Sequence, residues 1–214
     1  MEKLKSSLTN MVLVLVGVAA IMGCLLALVN HITEGPIAEK DAQTLQAGIK
    51  EVMCSDALTV ASTDTVKQEF DGKEATFVIY KTVDAQKKDL GAAVKSTTLG
   101  FGGDLDVLVG FDTEGKVLGY TLLKHAETPG LGAKADKWFQ KGEKGDIIGK
   151  SPATGDLHVS KDSKDGNAID AITASTITSR AFLKAINQAY KAYSNKGADA
   201  ESGATKKQEK KEEA

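Results

Sequence analysis

The sequence predicts an α+β fold, mainly an antiparallel sheet with flanking helices, preceded by one N-terminal transmembrane helix. Three observations carry this expectation. Residues 11–29 read MVLVLVGVAAIMGCLLALV, 19 residues without a charge. Between Asp71 and Leu123, apolar runs of strand length are separated by turn residues. From Phe182 to Tyr193, apolar side chains recur at helical spacing. Composition sets the outer bounds. Of 214 residues, 42% are hydrophobic, enough to bury a core, while Lys+Arg 27 against Asp+Glu 29 gives a formal net charge of -2. That balance offers no electrostatic reason to expect a nucleic-acid partner. Two cysteines cannot form a disulfide framework and lack the spacing of a metal site.

The uncharged run is the first element. As a helix it spans roughly 28 Å, close to the hydrocarbon thickness of a bilayer. A cleaved signal peptide would have a shorter apolar region and a small-x-small cleavage site. A lipoprotein site at Ile21-Met22-Gly23-Cys24 is opposed by the five apolar residues that continue past Cys24. The predicted organisation is therefore a cytoplasmic stub over 1–10 and a retained span over 11–29. Lys3 and Lys5 precede the span, and no Lys or Arg follows it until Lys40. The positive-inside rule then keeps the N-terminus cytoplasmic and exports the remainder to the periplasmic side. Cys24 falls in the bilayer and Cys54 outside it, so they are not expected to pair. Cys54 is expected to be a small buried hydrophobe.

Residues 30–60 read as a connecting helix and linker. Its helix begins at Glu34-Gly35-Pro36 and carries Ile37, Leu45, Ile49, Val52 and Met53. The folded domain is expected over 61–198. Ala75–Tyr80 reads as a strand after the turn pair Asp71-Gly72. Leu105–Phe111 and Val117–Leu123 read as a hairpin around Asp112-Thr113-Glu114-Gly115-Lys116. Lys141–Ser160, rich in Gly and Lys, reads as loops. The final helix presents Phe182, Ile186, Ala189, Tyr190 and Tyr193 on one face, with Thr178 or Ser179 as its cap and Asn195-Lys196-Gly197 as its stop. Residues 199–214, ending KKQEKKEEA, are expected to be a disordered charged tail.

Two segments stand out from this frame. His125-Ala126-Glu127-Thr128-Pro129-Gly130-Leu131-Gly132 follows the second hairpin strand and holds two glycines around an apolar residue. Such a loop lets backbone approach a ligand closely, and it is equally a tight turn leading to Trp138 and Phe139. In Asp170–Arg180 the hydroxyls of Thr173, Ser175, Thr176, Thr178 and Ser179 fall within seven positions, just ahead of the clearest helix. Free N–H groups and hydroxyls at a helix start suit a phosphate. Arg180, the only arginine among the 27 basic residues, is one turn beyond Thr176 and placed to pair with such an anion. Capping alone accounts for one or two of these hydroxyls, not for five. A serine hydrolase lacks its Gly-x-Ser-x-Gly elbow here, and His31, His125 and His158 lack metal-ligand spacing. Neither Walker A nor Gly-x-Gly-x-x-Gly occurs.

The two segments together resemble a known family. Asp-x-x-Thr-x-x-Thr-x-Thr-Ser at 170–179, with His-x-Glu-Thr-Pro-Gly-Leu-Gly at 125–132, is similar to the FMN-binding domain of bacterial ion-pumping redox complexes. The nearest resemblance is to the G subunit of the Rnf complex, and the C subunit of the sodium-pumping NADH:quinone reductase is a relative. The N-terminal span, Gly100-Phe101-Gly102-Gly103 and Trp138-Phe139 extend the likeness over most of the chain. The resemblance implies FMN esterified through its phosphate to Thr176, with Thr178 as the rival acceptor. It implies a flavin site built from Thr173, Ser175, Thr178, Arg180, Glu127, Thr128, Gly130 and Leu131. The family core is Ser/Thr-Gly-Ala-Thr, from which this chain departs with Ala174 and Ser175.

By the same resemblance a separate flavin transferase makes the ester, so no catalytic side chain is expected on this chain and no turnover of the chain by itself. The implied activity is electron relay within an ion-translocating ferredoxin:NAD+ oxidoreductase, exporting Na+ or H+ across the bacterial inner membrane. The implied partners are the other subunits of the complex, the transferase and membrane lipid. The chain has no nicotinamide or iron–sulfur motif, which places those sites on other subunits. Two alternatives remain: the equivalent subunit of a sodium-pumping NADH:quinone reductase, and an anchored non-redox binding protein for a small anion.

Overall fold

The computed structural model describes residues 8–70 and 72–202. The chain divides into two compact units, residues 1–45 and 46–214. The first holds most of α1, a helix of 45 residues running Leu8–Val52. One 18-residue window of α1 has a mean hydropathy of 3.0, and none of that window is buried by protein. It is the one helix among the described residues long and apolar enough to cross a membrane. The expected second start at Glu34-Gly35-Pro36 is absent, because α1 passes through Pro36 without a break. Proline removes one i→i−4 bond and Gly35 beside it is a poor helix former, yet the long helix carries through both. The predicted cytoplasmic stub lies mostly, through residue 7, outside the described residues.

The second unit begins with the last turns of α1, where Ile49 and Val52 are buried. Five antiparallel strands follow in sequential order: β1 (Thr59–Phe70), β2 (Lys73–Val83), β3 (Asp89–Leu99), β4 (Asp104–Phe111) and β5 (Val117–Lys124). In register, Gly110 of β4 faces Gly119 of β5. A Cβ on Gly110 would sit 2.3 Å from the Val52 carbonyl oxygen, and one on Gly119 2.9 Å from it. The glycine pair therefore makes the flat patch on which the end of α1 rests. Cys54 follows at φ 51 and is exposed, its thiol 3.6 Å from the Leu118 carbonyl oxygen. The expectation that it is buried therefore fails at this left-handed turn.

After β5 the chain forms the short helix α2 (Ala135–Trp138), the two-residue parallel strands β6 (His158–Val159) and β7 (Ala168–Ile169), and α3 (Thr176–Ser202). The predicted face of α3 is the buried one: Phe182, Ile186 and Ala189 join Val94, Val107 and Val109 of the sheet in one core. Burying each large side chain contributes about 1.5–3 kcal/mol. Phe182 stacks on Phe139 with centroids 4.3 Å apart, and Tyr120 meets Phe182 edge-on at 4.7 Å. The Tyr120 hydroxyl donates to the Ala135 carbonyl at 2.6 Å and accepts from the Phe139 N–H at 3.1 Å, tying α2 to β5. Burial pushes the Tyr120 phenol well above its ordinary range. α3 runs through Asn195-Lys196-Gly197 rather than stopping there. A glycine in a helix costs only about 1 kcal/mol, less than a stop requires. Beyond Ser202 the predicted tail lies outside the described residues.

Candidate cofactor site at the start of α3

The segment 170–179 folds into a tight turn that launches α3. Ile172 accepts from the Ser175 N–H at 3.0 Å, and between them Ala174 takes φ 61. This is the left-handed region that favours glycine, so the glycine of the family core is missing at a position whose backbone wants one. The Ser175 carbonyl accepts the Ser179 N–H at 3.0 Å, and the Ser179 hydroxyl at 2.9 Å. Ser179 Oγ also accepts from the Ile172 N–H at 2.9 Å, closing the turn. The N–H groups of Thr176, Ile177 and Thr178 precede the first intrahelical bond and carry the positive end of the helix dipole.

Glu127 joins this turn to two loops. It is 6% exposed. Its Oε1 accepts the N–H groups of Phe101 and Gly102 at 2.7 and 3.2 Å, and its Oε2 accepts the Thr178 hydroxyl at 2.7 Å. Two glycines make room for that carboxylate and its loop. A Cβ on Gly132 would lie 2.3 Å from Glu127 Oε2, and one on Gly102 2.0 Å from the Ala126 carbonyl oxygen. Between these pieces lies a cleft of about 380 Å³ lined by Phe101, Thr128, Leu131, Thr176 and Ile177 above the Glu127–Thr178 pair. Phe101 is 69% exposed, Ile177 55% and Leu131 41%. Those three side chains present apolar walls to solvent at the mouth of a cleft whose floor is polar.

The structure brings Thr176, Ser175, Thr178, Glu127, Thr128 and Leu131 together around the cleft. Thr173 is exposed in the turn before it. Gly130, at φ 76, lines the adjoining depression with Pro129, Lys134 and Trp138. Arg180 turns away from the cleft. Its Nε donates to Asp162 Oδ2 at 2.9 Å and its Nη2 to Asp162 Oδ1. The expected pairing of Arg180 with an anion at Thr176 is thus replaced by a bidentate pair with Asp162, which holds that carboxyl below its usual range. Residues 15 apart in sequence bring Lys161 to the site: its Nζ donates to the Thr176 hydroxyl at 3.2 Å. Sequence reading passed over Lys161 and Ile177. An aromatic set among glycines in Gly100-Phe101-Gly102-Gly103 was the available signal for Phe101.

The donor set fits FMN. Unpaired N–H groups and a cation at one end of the cleft suit a phosphate, and its apolar walls suit a flat heteroaromatic ring. The comparisons agree with this class: residues 100–191 match the family described as an FMN-binding domain. Among relatives, the G subunit of the Na+-translocating ferredoxin:NAD+ oxidoreductase complex of Acetobacterium woodii is 32% identical over 191 residues, covering 86% of this chain and 90% of the relative. The G subunit of the proton-translocating ferredoxin:NAD+ oxidoreductase complex of Clostridium ljungdahlii is 32% identical over 169 residues, 79% of this chain and 82% of the relative. The G subunit of an ion-translocating oxidoreductase complex of Vibrio parahaemolyticus is 33% identical, covering 78% and 82%. The chain belongs to the family of G subunits of ion-translocating oxidoreductase complexes, built on an FMN-binding domain.

Proposed function

We propose that this chain is a membrane-anchored flavoprotein subunit that carries FMN on Thr176 and relays electrons within an ion-translocating ferredoxin:NAD+ oxidoreductase complex. The flavin supplies the redox chemistry; the chain's own residues bind it, orient it and set its surroundings. The observation that carries the reading is the state of the two candidate hydroxyls. Thr178 is 1% exposed and its hydroxyl is donated to Glu127. Thr176 is half-buried at the mouth of the cleft, the first residue of α3, within reach of a transferase. The ester joins Thr176 Oγ to the FMN phosphorus, with loss of one water relative to free FMN. A tether suits a domain outside the cytoplasm, which cannot draw on the cytoplasmic flavin pool.

The positive-inside reading of Lys3 and Lys5 supports a single span with residues 30–214 exported. In this scheme residues 1–10 are cytoplasmic, 11–29 span the bilayer, 30–60 connect, and 61–198 are the flavin domain. The other subunits of the complex supply the nicotinamide and iron–sulfur centres and the ion path. Relatives named for Na+ and for protons are each 32% identical to this chain over their aligned lengths, which supports an ion choice made outside this subunit. Peptide mass spectrometry of chain made with its flavin transferase tests the central claim. The peptide spanning Asp170–Arg180 is expected to carry one FMN less one water, with fragmentation placing it on Thr176. An unmodified peptide under those conditions would sink the assignment.

A further inference from the structure

Lys161 occupies a place that a bare helix start does not favour. It lies in the link from β6 to β7, whose backbone is fixed beside the segment leading into α3. The Ser160 N–H donates to the Ile169 carbonyl at 2.8 Å, the Ser160 hydroxyl to Asp170 at 2.8 Å, and the Asp162 N–H to the Val159 carbonyl at 2.9 Å. Two cations leave this neighbourhood in different states. Arg180 is gripped by the Asp162 carboxylate, whereas the Lys161 ammonium is set against a neutral hydroxyl, that of Thr176. Helix starts favour carboxylates, yet the first turn of α3 contains no acidic residue. The ammonium and the positive end of the helix dipole therefore converge on one neutral oxygen. Glu127 also faces this turn, through Thr178, but its two oxygens already accept three donors. Two like-signed groups that meet at a neutral oxygen both gain from an anion bonded to that oxygen.

We propose that Lys161 is the counter-cation of the phosphate at Thr176, contacting its non-bridging oxygens and so fixing the ribityl end of the flavin. The inference rests on attachment at Thr176. The phosphodiester formed there carries one negative charge, and an ammonium already 3.2 Å from the ester oxygen reaches a neighbouring oxygen by rotating its own terminal bonds. Charge assistance shortens and strengthens such a contact. Arg180 keeps Asp162, whose carboxylate is thereby held off the phosphate.

The test uses the full chain made with its flavin transferase, as wild type, Lys161→Gln, Lys161→Arg and Lys164→Gln. Intact mass gives the fraction carrying FMN when transferase is limiting, and the ³¹P resonance of the folded protein reports the surroundings of the phosphate. Lys161→Gln is expected to shift the ³¹P resonance and to lower loading roughly fivefold, the loss of one charge-assisted contact. Lys161→Arg is expected to restore most of the loading, and Lys164→Gln to leave both readouts as in wild type. Wild-type loading and an unmoved resonance in Lys161→Gln, with wild type loaded at Thr176, overturn the role of Lys161 alone. A wild-type chain without FMN at Thr176 overturns the attachment, and this inference falls with it.

Discussion

Glu127 accepts the hydroxyl hydrogen of Thr178 at 2.7 Å across 51 residues of sequence, and that bond fastens the loop after β5 to the first turn of α3. The same carboxylate holds the Phe101 and Gly102 N–H groups. One buried side chain thus sets the spacing of the three segments that line the cleft.

Replacing that side chain tests the arrangement. Glu127→Gln keeps the volume but loses one acceptor oxygen, and it turns an NH₂ donor toward donors. The expected loss is about 2 kcal/mol, typical of a buried charged hydrogen-bond hub. The melting temperature of the FMN-binding domain should fall by roughly 5 °C. Amide hydrogen exchange should rise first at Phe101 and Gly102. Unchanged melting and exchange would show the three bonds to be incidental.

Ala174 carries the opposite expectation. Its φ of 61 imposes on a residue with a Cβ the conformation that glycine adopts freely. Ala174→Gly removes about 1–2 kcal/mol of steric cost while adding about 0.4–1 kcal/mol of chain entropy to the unfolded state. The net expectation is a stabilisation of about 0.5–1 kcal/mol by denaturant titration. Loss of stability would mean that the turn has relaxed away from the left-handed region.

How far sequence alone reached follows from what carries each signal. The face of α3 was legible because five apolar residues at helical spacing report burial directly, and β2, β4 and β5 were legible as apolar runs. β1 and β3 were not. β1 is an edge strand whose residues are mostly exposed and polar, while the centre of β3 is Gly91-Ala92-Ala93-Val94, small residues that do not announce a strand. The cleft was legible as two motifs, and the departure at Ala174 marked the one strained backbone position in the turn. The partner of Arg180 was not legible, because Asp162 sits 18 residues earlier on the link between two-residue strands. Lys161 was invisible for the same reason.

The Arg180–Asp162 pair makes a pH prediction. Hydrogen bonding to Arg180, with its charge, lowers the Asp162 pKa, so the ionised form is favoured in the folded state. Its contribution is fully present above the unfolded carboxyl value of about 3.9 and is lost as pH falls through the lower folded value. Both groups lie at the surface, so the effect is small and screened by salt. Arg180→Gln should therefore be slightly less stable than wild type near neutral pH, with the difference vanishing in strong acid or high salt. FMN loading should be unaffected. A sharp fall in loading would return Arg180 to the phosphate.

Thr176 and Thr178 separate by burial, and their variants should separate by function. Thr176→Ala removes a half-buried hydroxyl that caps nothing, since the Ser175 carbonyl accepts the first helical bond and the Ser179 hydroxyl closes the turn. Its stability should change by no more than about 0.5 kcal/mol, while covalent flavin is lost completely. Thr178→Val keeps the shape of the side chain but leaves Glu127 Oε2 without its donor. That buried oxygen should cost about 1–3 kcal/mol, and the loosened loop should lower loading without abolishing it. Intact mass and denaturant titration on the two variants give four values. The pattern expected is a stable unmodified Thr176→Ala and a destabilised, still modified Thr178→Val. The reverse pattern, with flavin retained in Thr176→Ala and absent from Thr178→Val, would move the attachment to Thr178 and require the first turn of α3 to open before the transferase acts.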